Sequence, residues 1–255
     1  MKDFNNKDTK FSPVNSYWLA WSSRLAYADN EEIETELMKE AMTLYGFFDE
    51  DNTQAFIAVD DDKMIISVRG TDGLADAMTD INVDLVDGVG GRVHEGFNTS
   101  AARLWKFVMS AVKARGNRSL WITGHSLGAG IATILTARLV QQKDEPVNGL
   151  YTYGQPRTGD KKFARNFNAS FGTQTFRHVN NNDIVTRTPF RSMGFAHVGE
   201  LIYFDEHGQW RVDLKWWEKL LDRISGRWND LFELGTDGIK DHGVDEYVDR
   251  SGRMI

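Results

Sequence analysis

Cysteine is absent from the 255 residues. Disulfides, thiolate metal sites and a cysteine nucleophile are therefore excluded, and the fold has to stand on packing alone. Proline is scarce, with four in the chain. There is no proline-rich linker, internal repeat or low-complexity tract, so residues 1–255 read as one domain. No apolar run approaches the roughly 18 residues of a membrane span, since Ala55–Val59 and Leu201–Phe204 are strand-sized. A basic excess is missing as well: 30 Lys and Arg stand against 37 Asp and Glu, a net charge of −7. That balance argues against a nucleic-acid binder that neutralises phosphates and against non-specific attraction to anionic membranes. Met1 to Phe11 carries Lys2, Lys7 and Lys10 without an apolar segment behind them. No Sec-type export signal is expected there, which leaves the cytoplasm, export by another route, or a signal already removed.

What is present describes a globular chain, 41% hydrophobic and 26% charged. Amphipathic helices are expected over Val14 to Ala28 and Glu32 to Tyr45. Ala55–Val59 and Met64–Val68, separated by Asp60, Asp61 and Asp62, predict a hairpin. From Gly96 to Arg115, Phe97, Ala101, Leu104, Val108 and Val112 recur at spacings of three and four, which predicts a helix. Strands are expected at Leu120–Thr123, Leu150–Tyr153 and Thr175–Val179, with helices at Leu127–Gln141 and Lys161–Phe171, then a hairpin across Leu201–Phe204 and Trp210–Val212. Strands alternating with helices of this length predict an α/β fold with a mostly parallel sheet covered on both faces, because parallel neighbours need crossovers.

Gly124-His125-Ser126-Leu127-Gly128 is a G-x-S-x-G segment between a predicted strand and a predicted helix. So tight a strand-to-helix turn strains the central residue and leaves no room for side chains beside it, hence a glycine two residues before and two after. It lifts the Ser126 hydroxyl above the carboxyl ends of the strands, near the positive end of the helix. A hydroxyl becomes a useful nucleophile only when a base takes its proton and a third group fixes that base. Downstream lie His178, His197, His207 and His242. Chain order alone does not choose among them.

With these residues in view, the chain resembles the class 3 lipases, the fungal-lipase-like branch of the α/β-hydrolases. The matching segments are Val68-Arg69-Gly70-Thr71, Val93-His94-Glu95-Gly96-Phe97, the Gly124 to Gly128 turn, Tyr153-Gly154-Gln155-Pro156-Arg157, Val179 to Val185 and Ala196-His197-Val198-Gly199-Glu200, with His242 late in the chain. The resemblance implies an α/β-hydrolase fold with a helical lid. It makes Ser126 the nucleophile, Asp183 the acid and His242 the base, with the N–H of Leu127 and a donor from Thr71 as the oxyanion hole. In the same reading His197 belongs to a structural segment, and His94 and His178 serve packing or hydrogen bonding. His125 points away from the nucleophile, and His207 sits at a hairpin tip.

Asp72, Asp76, Asp80 and Asp84 recur every four residues, with Leu74, Met78, Ile81 and Leu85 on the opposite side of a helical wheel. The resemblance implies that this amphipathic segment, directly after the oxyanion loop, is the lid, and the alternative is a fixed surface helix. Ala77 stands where fungal relatives often carry a lid tryptophan, which weakens the expectation of interfacial activation. A second helical pattern, Leu214 to Leu234, closes the core or lines the acyl pocket through Trp217 and Trp228. The implied activity is hydrolysis of acylglycerols or similar lipid esters through an acyl-enzyme, with a lipid–water interface as a candidate partner. Phospholipase A1 or lysophospholipase activity is the enzymatic alternative, and a lipase-like binding or signalling protein the non-enzymatic one. No cofactor or metal is expected, because the histidines lack ligand spacing and the acidic clusters read as solvated turns.

Overall fold

The computed structural model describes residues 1–71, 84–212, 238 and 240–255. Among these, an eight-stranded mixed sheet forms the centre. It opens with an antiparallel meander: β1 (Thr43–Glu50), β2 (Thr53–Val59) and β3 (Lys63–Val68). From β3 the sheet continues in parallel through β6 (Ser119–His125), β7 (Gly149–Tyr153), β9 (Thr175–Asn180) and β11 (Glu200–Phe204), and β12 (Trp210–Val212) closes it as an antiparallel edge. Parallel neighbours require crossovers, and helices supply them: α3 (Glu95–Ala114) leads into β6, α4 (Leu127–Lys143) joins β6 to β7, and α5 (Lys161–Phe171) joins β7 to β9.

Both faces of the sheet are covered, so its inner strands are apolar on both sides. Ala55, Ile57, Met64, Ile66, Leu120, Ile122 and Leu150 pack in one core with residues of α3, α4 and α5. Phe56, Ala58, Ile65, Trp121, Tyr151 and Phe176 belong to the opposite core, which includes Leu19, Ala20, Trp21 and Leu25 of α1 (Pro13–Leu25) and Tyr247 of α6 (Val244–Gly252). The caps are local. Ser12 accepts from the N–H of Asn15 with Pro13 opening α1, Asp29 caps α2 (Asn30–Lys39), and Asp160 caps α5. A smaller antiparallel sheet, in the order β10 (Phe195–Ala196), β8 (Gly159–Asp160), β5 (Gly91–His94), β4 (Leu85–Gly88), flanks the main one.

Two sequence expectations change. The helix expected to reach Tyr45 stops at Lys39, and Ala41 adopts φ 55° before β1 begins at Thr43. Continuous apolar residues across that break had concealed a strand. Leu85, assigned to the lid wheel, opens β4 and pairs with His94 across a hairpin whose turn holds Gly90 at φ 76°. The helical pattern therefore runs on past Asp84 into a strand. Leu74, Met78 and Ile81 of the lid reading, and Trp217 and Trp228 of the pocket reading, lie outside the described residues. Among the described residues no helix is long and apolar enough to cross a membrane.

Candidate active site

The register sets Val68 beside Gly124, His125 beside Tyr153, and Tyr153 beside His178. The carboxyl ends of β3, β6, β7 and β9 therefore lie level, and the loops that leave them meet above the sheet. In an open α/β sheet this edge is where ligands are received.

Ser126 occupies the turn from β6 to α4 with φ 58° and ψ −130°, a left-handed backbone unusual for any residue but glycine. The neighbouring glycines are required by close approach. A Cβ at Gly124 would lie 2.6 Å from the carbonyl oxygen of Gly128, and one at Gly128 would collide with the backbone of Val68 and Arg69. Leu127 opens α4, where a backbone N–H has no intrahelical acceptor and is free for another one. Gly70 approaches from β3 so closely that a Cβ there would sit 3.1 Å from Cβ of Ser126, which brings Thr71 to the same edge.

Asp183 follows β9 and is fully buried. Its Oδ1 accepts from the N–H of Val185 at 2.9 Å, and both its oxygens face Nδ1 of His242, at 2.9 and 2.8 Å. Burial pulls the Asp183 carboxyl upward, but the imidazole of His242 and the hydrogen bonds from His242 and Tyr247 outweigh it and hold the group below its ordinary range. A carboxylate accepts only, so Nδ1 of His242 carries the proton and Nε2 is left as the basic nitrogen. That Nε2 and the hydroxyl oxygen of Ser126 are both buried, and neither has a hydrogen-bond partner among the described residues. Asp183 and His242, 59 residues apart, thus pair at the sheet edge where Ser126, whose N–H donates to the carbonyl of Tyr153, sits in its turn.

The other histidines are occupied elsewhere. His178 lies 2.8 Å from the Ser16 hydroxyl and 3.0 Å from the carbonyl of Thr152, and burial lowers it to about 3. His94 caps α3 with its ring stacked 4.1 Å from Phe97, His197 donates to the carbonyl of Thr186, and His207 lies in the exposed turn before β12. Two residues of the site escaped the sequence reading. Tyr247 donates its phenolic hydrogen to Oδ2 of Asp183 at 2.5 Å. Tyr27 lies 2.7 Å from Nδ1 of His125. The only signal for Tyr247 was its spacing of four from Ser251, the two buried positions of α6.

Known proteins agree with this architecture. The native propeptide complex of Rhizomucor miehei lipase superposes with a TM-score of 0.68 and 26% identity, covering 78% of this chain and 70% of that one. A triacylglycerol lipase described as having a serine-protease triad at its catalytic centre gives 0.68 at 24% identity, over 78% and 83% of the two chains, a likeness of fold. In sequence, the chain is 33% identical to a lipase of Rhizomucor miehei over 162 residues, 58% of this chain and 44% of that protein. It is likewise 33% identical to a secreted mono- and diacylglycerol lipase of Fusarium solani over 162 residues, 59% and 47% of the two. The chain therefore spans about half the length of the curated relatives it matches. The model of the family described as Lipase (class 3) matches residues 65–193, just over half of the chain and the stretch that holds both Ser126 and Asp183, so the chain belongs to the class 3 lipase family.

Proposed function

We propose that this chain is a serine carboxylic-ester hydrolase acting on acylglycerols or similar lipid esters. The observation that carries the reading is the bond of His242 Nδ1 to both oxygens of buried Asp183 beside a serine held in a strained strand-to-helix turn. Family relatives described as lipases of mono-, di- and triacylglycerols support the choice of substrate class.

In this reading Ser126 Oγ attacks the ester carbonyl while His242 Nε2 takes its proton. The imidazolium that forms is stabilised by Asp183. The N–H of Leu127 and a donor from Thr71 receive the oxyanion, an arrangement in which one donor is worth about 3 kcal/mol of transition-state stabilisation. His242 then gives its proton to the departing alcohol, and an acyl-enzyme remains on Ser126. Water, deprotonated by the same Nε2, attacks that ester and frees the acid and the serine. Residues 72–83, between Thr71 and β4, carry the lid in this proposal through Leu74, Met78 and Ile81.

Initial rates on p-nitrophenyl butyrate and on emulsified triglyceride, for the protein and its Ser126→Ala variant, test the reading. Turnover that falls to the buffer rate in the variant supports it. A folded protein inactive on both substrates overturns it in favour of a binding role.

A further inference from the structure

His125 immediately precedes Ser126, and both of its ring nitrogens are engaged. Nε2 lies 2.7 Å from the main-chain carbonyl oxygen of His242, and Nδ1 lies 2.7 Å from the hydroxyl of Tyr27. A carbonyl only accepts, so Nε2 bears the proton, Nδ1 is the acceptor, and Tyr27 is the donor. The tautomer thus follows from the partners. The two imidazoles are tilted against one another, with ring centroids 4.5 Å apart and planes at 35°. Burial foremost, and the neighbouring His242 next, hold His125 down to about 3, so the ring stays neutral beside the base.

Other ties on the His242 turn lead to a different strand. Asp183 holds its ring from the loop after β9, Asn180 donates to the carbonyl of Asp241 at 2.9 Å, and Asn181 donates to the Asp241 carboxylate at 3.1 Å. All of these fix the base relative to β9. His125 ends β6, the strand that presents the nucleophile. Tyr27, two residues past α1, also touches the third part of the site, since its hydroxyl is what a Cβ at Gly70 would strike.

Resting on the reading of Ser126 and His242 as nucleophile and base, we propose that His125 is a positioning residue. Its Nε2–H, oriented by the Tyr27 hydroxyl, anchors the main chain of His242 to the strand of Ser126 and sets the alignment of base and nucleophile. A misplacement of about 1 Å between reacting groups costs on the order of a hundredfold in rate, so one hydrogen bond at this point has leverage.

The test follows two rates in the full chain: kcat on p-nitrophenyl butyrate, and phosphonylation of Ser126 by an alkyl fluorophosphonate. In the second reaction the serine oxygen bonds to phosphorus, fluoride leaves, and the hydroxyl proton passes to His242, with no ester substrate needed. His125→Leu is expected to lower both rates by about a hundredfold with KM unchanged. His125→Gln, whose amide N–H reaches toward the same carbonyl, is expected to recover to within about tenfold of the parent. Tyr27→Phe is expected to slow the parent but to change little in the His125→Gln background, where no tautomer needs fixing. A folded His125→Leu protein phosphonylated at the parent rate overturns the proposal, as does a His125→Gln variant no faster than His125→Leu. If His125→Leu does not fold, the Tyr27→Phe pair decides: loss only in the histidine background supports the tether, and equal loss in both places Tyr27's effect on the Gly70 loop and overturns it. A parent that is phosphonylated but idle on esters fails the ester reading while leaving the tether measurable. A parent inert to both fails both.

Discussion

Tyr247 and Asp183 are joined by a 2.5 Å hydrogen bond that closes the far side of the acid. The same phenolic oxygen accepts from the N–H of Asn180 at 3.0 Å, so the tyrosine links the end of β9, the acid and α6, the helix that begins two residues after His242. Together with the N–H of Val185, it gives each carboxylate oxygen a donor besides His242. A buried carboxylate with unpaired oxygens would be costly.

Tyr247→Phe removes the donor and leaves the N–H of Asn180 without an acceptor. The expected cost is about 1–3 kcal/mol of stability, because a buried partner is left unsatisfied. A fall in kcat of roughly tenfold is expected with it, since the acid loses part of its orientation. Urea unfolding and ester kinetics on the same preparation read both. Parent-like values in both measurements would show that the bond carries neither load.

Asp183→Asn is the sharper change. An amide in that place can donate to Nδ1 and so favour the tautomer with its proton on Nε2, which disables the base. kcat is expected to fall on the order of 10³–10⁴-fold, far more than for Tyr247→Phe, with KM little altered. A loss equal to that of Tyr247→Phe would mean the carboxylate acts only as a structural acceptor.

Most of the sheet was legible because its signal is local. β-branched and aromatic runs bounded by Asp, Asn or Gly mark β2, β3, β6 and β7, where each apolar run is nearly continuous because both faces are covered, while β9 is marked by Phe176 and Val179 around Arg177 and His178. Strand β1 was not legible: Leu44, Phe47 and Phe48 extend the apolar pattern of α2, and the chain breaks at Ala41, a residue that carries no turn signal. β4 and β5 were hidden for another reason, since Asp87, Gly88, Gly91 and Arg92 favour turns and pair only because a second sheet forms around them. At the site, Ser126 announced itself through the glycines that its turn demands. Tyr27 beside His125 and Tyr247 beside Asp183 could not be read, because a hydrogen bond spanning 98 or 64 residues leaves no trace in local spacing.

The buried histidines make stability depend on pH. Burial lowers His178 and His125 to about 3, and His94, also by burial, to about 4, against an ordinary value of 6.5. In the window between, the unfolded chain binds more protons than the folded one, so stability rises with pH and is lost on acidification from about 6.5 toward 4. Asp183 acts in the same direction, because its folded value is depressed and its contribution disappears as the pH falls through that value. Each such histidine adds a slope of about 1.4 kcal/mol per pH unit. His178→Gln is expected to lower stability near neutrality and to flatten the slope between pH 6 and 4.5 by that amount. Unfolding curves in urea across this range check it, and an unchanged slope would show that His178 takes up its proton without opening the fold.

Gly154 gives the last prediction, because it touches both the acid and the base. It follows β7 with φ 60°, and a Cβ there would lie 2.6 Å from Cε1 of His242, 2.7 Å from its Nδ1 and 2.9 Å from Oδ2 of Asp183. None of these atoms is the far end of a flexible side chain: the ring is held by the carboxylate, and the carboxylate by Val185 and Tyr247. Gly154→Ala therefore has to displace the imidazole or the strand end, besides placing a side chain at positive φ, a strain of order 1 kcal/mol. In the proposed mechanism a displaced imidazole can no longer take the Ser126 proton efficiently, and a shift of about 1 Å corresponds to a loss of roughly a hundredfold in kcat. The expected signature is a protein that still unfolds cooperatively, about 1–3 kcal/mol less stable on the order-of-magnitude scale for such strain, with kcat reduced much more than its stability implies. Full activity in Gly154→Ala would mean that the His242 ring has room to move without leaving its working position.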